Sequence, residues 1–204
     1  TRATAALVIL STLFFSVYFA SARADEFTNG AEQFIRSLAE NAITSLTDES
    51  LTEKERQIKF RKLLNSYFDV KGIGKWALGR YWRKTSKSER LEYLVLFENL
   101  IVSTYANRFK NYTKEKLTVK GSSSRGKFAL VKSQINGGKE KPIRIEWRVT
   151  RPDGNYKIFD IVIEGVSMIR TQRSEFSSVI RRNGGKVSGL LAALRKKTTK
   201  LNKK

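Results

Sequence analysis

The sequence predicts an α+β fold, a twisted antiparallel sheet of about four strands covered by helices on one face. Three observations carry this. Apolar residues recur every three or four positions from Phe27 to Phe109, then alternate every second position from Leu117 to Gly165. Helical spacing returns near Ser174–Arg182. A run of helices followed by a run of hairpin strands buries its apolar surface when the helices cover one sheet face. At 204 residues, 40% of them apolar, the chain suits one ordinary domain with its own core.

The N-terminal segment reads as an address. Thr1-Arg2 is followed by a mostly apolar run from Ala3 to Ala20, and small residues stand at Ala22 and Ala24. This is the pattern of an export signal cleaved after Ala24. The alternative is an uncleaved anchor, since about 18 apolar residues just span a bilayer. No Cys follows the site, so bacterial lipoprotein anchoring is excluded. The expected organisation is a signal peptide at 1–24, a binding domain at 25–194 and a basic, frayed tail at 195–204.

In the domain, Phe27, Ala31, Phe34, Leu38, Ala42 and Leu46 form one helical stripe. Thr52-Glu53-Lys54-Glu55 and Ser86-Lys87-Ser88-Glu89 have the spacing of capping boxes, each opening a helix. The second box opens the longest expected helix. Its apolar stripe, widened by Val95, Leu96, Leu100 and Val102, predicts a middle buried on most sides. Strands are expected at Leu117–Lys120 and Phe128–Ile135, separated by the polar turn Gly121–Gly126. In the next strand Ile143, Ile145, Trp147 and Val149 share one face. Pro152-Asp153-Gly154-Asn155 is a hairpin turn, and the strand after it is expected to put Phe159, Ile161 and Ile163 on one face. Gly184-Gly185 separates the last two helices.

The composition excludes most catalytic apparatus. Without His or Cys there are no zinc sites of the usual ligand types, thiol nucleophiles or Ser-His-Asp arrangements. The 19 acids are scattered among 40 Lys and Arg, which argues against a carboxylate metal site, so no metal and no cofactor are expected. Gly72-x-Gly74 lacks the preceding strand of a dinucleotide site. Asp160 and Glu164 are read as structural partners of Arg or Lys, and the chain as a non-enzyme. A formal charge of +21 ordinarily suggests nucleic acid, but an exported chain does not meet it, so no nucleic-acid partner is expected. Anionic lipid surfaces and acidic protein faces are the remaining partners.

Phe68, Trp76, Tyr81 and Trp82 fall close together among basic residues. They suit a stacking surface, an aromatic core, or the wall of an apolar cavity with a basic rim. At Phe68-Asp69, Ala77-Leu78-Gly79-Arg80-Tyr81-Trp82-Arg83, Phe97 to Tyr105, and above all Phe159-Asp160-Ile161-Val162-Ile163-Glu164-Gly165-Val166-Ser167-Met168, the sequence resembles the MlaC or toluene-tolerance family of periplasmic phospholipid-binding proteins. The resemblance runs from about Phe27 to Leu194.

It implies a soluble periplasmic carrier whose sheet and helices enclose an apolar cavity for lipid acyl chains. It further implies shuttling between an outer-membrane lipoprotein complex and an inner-membrane ABC transporter with a periplasmic lipid-handling subunit, in maintenance of outer-membrane lipid asymmetry. The expected cavity wall is Ile145, Trp147, Val149, Phe159, Ile161 and Ile163 opposed by Trp76, Tyr81, Phe97, Ile101 and Tyr105. Arg80, Arg83 and Arg148 are expected at a head-group rim. The alternatives are a carrier of hopanoid-type lipids and an exported protein that binds acidic envelope polymers. Thr171-Gln172 stands where the family pattern leads one to expect Asn-Tyr, which bears on cargo and partner choice.

Overall fold

A computed structural model describes residues 3–111, 115–137 and 141–201, with side chains from Asp25 onward. Helix α1 (Ala3–Leu46) is the longest element, because the apolar run and the amphipathic stretch after it form one continuous helix. The side chains of the expected signal segment lie outside the described residues. Next come α2 (Glu53–Tyr67), α3 (Val70–Leu78), a 3-10 segment at Gly79–Lys84, and α4 (Lys87–Tyr105). Both capping boxes form. Thr52 and Ser86 accept from the backbone N–H of Glu55 and Glu89, whose carboxylates accept in return.

Five strands follow in a simple antiparallel meander: β1 (Lys116–Arg125), β2 (Phe128–Asn136), β3 (Ile143–Thr150), β4 (Lys157–Ile163) and the two-residue β5 (Val166–Ser167). The expected polar turn at Gly121–Gly126 is mostly strand. A bulge between Val119 and Gly121 absorbs one residue, Gly121 takes φ +128°, and Ser122, Ser123 and Ser124 pair with Val131, Leu130 and Ala129. The hairpin at Pro152–Gly154 is present, closed by the Asn155 N–H donating to the Pro152 carbonyl at 2.9 Å.

Helices α5 (Met168–Arg182) and α6 (Val187–Leu201) complete the chain. Residues 195–201 were expected to fray and instead continue α6. Leu194 and Thr198 are buried in the helical layer, and Arg195 Nε donates to Glu92 Oε1 on α4 at 2.6 Å. Apolar burial on one face holds a basic helix that charge alone would loosen.

The apolar interior divides into two clusters. One lies among the helices, where α4 packs on α6 and α3 on α5, and it contains Leu64, Leu78, Tyr81, Tyr93, Phe97, Phe176, Ile180 and Leu190. The other lies between the sheet and the front of the described part of α1, with Ala31, Ile35 and Leu38 against Val131, Ile145, Trp147, Val149 and Ile158. Helix α1 belongs to both, since Ala42 and Leu46 enter the helical cluster. Its C-terminal end is held by the buried Arg56, which donates to the carbonyls of Leu46, Asp48 and Leu51. That accounts for backbone acceptors a helix end otherwise leaves open.

Helix α4 is less enclosed than its stripe predicts. Tyr93, Phe97, Leu100 and Val102 are buried, but Leu91 and Val95 are each 60% exposed. A stripe wider than the neighbouring helices can cover leaves its edge in solvent.

Candidate functional site

The apolar sheet face is built by strand alternation. Across β2, β3 and β4, Val131 pairs with Trp147 and Trp147 with Ile161, while Ser133 pairs with Ile145 and Ile145 with Ile163. Burial of the indole in this layer is made possible by a partner, for Trp147 Nε1 donates to Ser133 Oγ at 2.8 Å. Ile145, Trp147, Val149 and Ile161 thus share a face as their spacing predicts, with Ile163 on it at the sheet end.

Phe159 does not join them. Between Arg148 and Val149 the register shifts, so that Arg148 pairs with Asp160 and Val149 with Ile158. The extra residue is Phe159, which this bulge turns to the opposite face, where its ring meets Phe128 edge-on at 5.5 Å. Ile158, fully buried, takes the position expected of Phe159.

Nor do the two expected walls oppose one another. The sheet face is met by α1, together with Leu63, Tyr67 and Phe68. Tyr81, Phe97 and Ile101 lie in the helical cluster. Trp76 is 41% exposed with the Arg173 guanidinium 4.8 Å over its ring, and Tyr105 is 43% exposed beneath Arg108. Among the described residues the two clusters share only the partly buried Leu63 and Phe68. The two layers are joined where α5 packs on β4 and where the Asp69 N–H donates to the Ile158 carbonyl at 3.0 Å.

Arg148, expected at a rim, lies on the sheet face opposite Trp147. Its Nη1 donates to Asp160 Oδ2 at 3.0 Å, and the Asp160 carboxylate also accepts from Ser167 Oγ and the Ile169 N–H. This group fastens the start of α5 to the sheet, which agrees with a structural reading of Asp160. Glu164 likewise pairs with Arg144, whose hydrogen bonds hold its carboxyl below the usual range. Arg80 stacks over its neighbour Tyr81, and Arg83 is exposed on the 3-10 segment.

A cleft of about 460 Å³ is lined by Phe34, Ser66, Gly154, Asn155, Tyr156 and Lys157. Phe34 lies in the α1 stripe, but sequence reasoning assigned it no site, and it passed over Tyr156. The signal was the pair Phe27 and Phe34, two aromatic residues two turns apart on a stripe otherwise aliphatic. Their rings pack on Tyr156, and Phe34 also meets Tyr67 at 4.9 Å. Among the described residues no cluster of His, Cys, Asp or Glu could hold a metal ion.

The structure is thus an α+β domain in which a five-stranded antiparallel meander is closed on its apolar face by α1, with a second core among the helices. Comparison with known proteins then gives the family. The description MlaC protein matches residues 36–196, and the chain belongs to the MlaC family. It is 26% identical over 129 residues to the intermembrane phospholipid transport system binding protein MlaC of Haemophilus influenzae. That match spans 61% of this chain and 60% of the relative. The fold is shared with a phospholipid-binding protein from Ralstonia solanacearum solved in complex with a phospholipid. The TM-score is 0.76 at 20% identity, over 83% of this chain and 97% of that one.

Proposed function

We propose that this protein is a periplasmic phospholipid carrier that moves lipid between outer- and inner-membrane complexes, with residues 1–24 an export signal removed after Ala24. The observation that carries the reading is the divided interior of a chain belonging to the MlaC family. Lifting a sixteen-carbon chain out of a bilayer forfeits about 12 kcal/mol of apolar burial, and two chains twice that. A carrier must return nearly all of this within itself, so acyl chains need an interior that opens. The divided interior gives such chains a boundary to enter, and among the described residues only the partly buried Leu63 and Phe68 belong to both clusters. The apolar side chains available to acyl chains are Ile145, Trp147, Val149, Ile158 and Ile161 on the sheet and, in the separate helical cluster, Tyr81, Phe97 and Ile101.

The family relationship favours lipid over acidic polymers as cargo. The partners of this reading are an outer-membrane lipoprotein complex and an inner-membrane ABC transporter with a periplasmic lipid-handling subunit. The basic surface favours quick encounter with anionic membranes and acidic partners, raising on-rate more than residence.

Mass spectrometry of lipid extracted from detergent-free protein tests the reading. Stoichiometric diacyl lipid is expected. A folded protein that carries none and takes none from vesicles would overturn it.

A further inference from the structure

The outer surface of the α4–α6 pair sets a row of cations beside exposed aliphatic side chains. Helix α6 buries Val187, Leu190, Leu191, Leu194 and Thr198. Its opposite face carries Ala192, Ala193, Arg195, Lys196, Lys197 and Lys200, all exposed, and the helix contains no acid. Lys196, Lys197 and Lys200 form no ion pair among the described residues. Charge along the chain is also uneven. From Met168 to Leu201 there are nine Lys and Arg against one acid, whereas Asp25 to Glu55 hold eight acids against two Lys and Arg. An anionic surface therefore attracts the C-terminal helices and repels the segment that opens the domain.

Helix α4 lies against α6. Arg195 Nε donates to Glu92 Oε1 at 2.6 Å, and Lys84, Glu89, Lys186, Val187 and Ser188 line one cleft where the two helices begin. On α4, Leu91 directly precedes Glu92 and Val95 follows one turn later, and both are exposed. The aliphatic pair thus borders the cationic row. The acids nearby are engaged, Glu92 by Arg195 and Glu89 by the N-cap residue Ser86.

A stable protein interface centres on aromatic or Arg anchors seated in pockets, with charge kept to the rim. This face has no exposed aromatic side chain on α6, and its only apolar groups there are the flat Ala192 and Ala193. A bilayer surface requires neither pocket nor register. It takes long cationic side chains among its phosphates and a few aliphatic ones at the head-group boundary. We propose that the outer face of α4 and α6 docks on the anionic surface of a lipid bilayer. Lys196, Lys197 and Lys200 supply the attraction, and Leu91 and Val95 a shallow insertion. This rests on the carrier reading, which brings the protein to a membrane, and it names the side of the molecule that meets it.

The test is sedimentation of the protein with vesicles of dioleoyl phosphatidylcholine, with and without dioleoyl phosphatidylglycerol. Wild type is expected to bind the vesicles that contain phosphatidylglycerol and to leave them as salt shortens the reach of charge. Lys196→Gln, Lys197→Gln and Lys200→Gln together should weaken binding roughly a hundredfold, since each Lys near such a surface contributes about fivefold. Gln keeps the helix, and the bound-lipid content should match wild type. Lys120→Gln, Lys127→Gln and Lys132→Gln, exposed on the first hairpin, remove the same charge and should weaken binding by less than about tenfold. Leu91→Ser with Val95→Ser should lower it about tenfold, the scale of partial burial of two aliphatic side chains.

Equal losses in the two lysine variants overturn the face, because net charge alone then accounts for binding. Wild type that carries lipid but ignores the phosphatidylglycerol vesicles overturns the face and leaves the carrier standing. Wild type that binds those vesicles but neither yields lipid on extraction nor takes any from them overturns the carrier, and with it this use of the face.

Discussion

Arg148 on β3 and Asp160 on β4 face one another across the sheet with Nη1 and Oδ2 3.0 Å apart, and the Asp160 side chain is completely buried while that of Arg148 is 26% exposed. The pair sits opposite the apolar face, and two further donors, Ser167 Oγ and the Ile169 N–H, complete the carboxylate's contacts. One acid thereby joins β3, β4 and the start of α5.

Removing that acid leaves a partly buried guanidinium and a helix start without their acceptor. Asp160→Ala is expected to cost about 2–4 kcal/mol, somewhat less than a fully enclosed pair because Arg148 keeps some water. Asp160→Asn retains an acceptor for Ile169 and should cost less. Urea unfolding of the two variants checks this, and unchanged midpoints would remove the structural role.

Tyr93 predicts an alkaline limit to stability. Its hydroxyl donates to the Gly74 carbonyl at 2.9 Å, and burial pushes the phenol well above its ordinary value of 10.0. The folded protein therefore keeps the phenol neutral at pH values where the unfolded chain ionises. Its contribution is intact below pH 10 and is lost above it at about 1.4 kcal/mol per pH unit. Tyr93→Phe should flatten that part of the stability profile. At neutral pH it should cost about 1–2 kcal/mol, since the Gly74 carbonyl loses its donor. Denaturant melts from pH 7 to 11 on both proteins give the comparison.

Gly79 holds the turn between α3 and the 3-10 segment at φ +58° and ψ −129°, and a Cβ there would stand 2.7 Å from Arg173 Nε. Gly79→Ala is expected to lose about 1–3 kcal/mol through backbone strain. It should also push the Arg173 guanidinium off the Trp76 ring. Thermal melting reads the first effect. A change in tryptophan fluorescence that is absent in a Trp76→Phe background reads the second.

Elements whose rules act within a few residues were legible. The boxes Thr52–Glu55 and Ser86–Glu89 formed as spaced, and so did the Pro152–Asn155 turn. Alternation placed Ile145, Trp147 and Val149 on one face, and an uninterrupted period of two carried Phe159 onto it too. The bulge that turned Phe159 away arises from pairing with β3, which no pattern within β4 records. The same reasoning applies to Leu91 and Val95, since periodicity shows that a side chain is apolar and on a face, while coverage depends on where α2, α3 and α6 end up.

The candidate site divides in the same way. By itself the sequence determined the α+β class, the strand faces, the capped helices, and the family motif around Phe159–Met168, because local geometry and composition act along the chain. Only the tertiary structure decided that α1 covers the sheet and that Tyr81, Phe97 and Ile101 belong to a separate core. The same is true of the cleft where Phe34, Tyr156 and Lys157 meet. These are relations between segments far apart in the chain. Apolar burial has no direction of its own, so a stripe of Phe27, Phe34 and Leu38 accepts any complementary face, and the packing of the whole chain selects which one it meets.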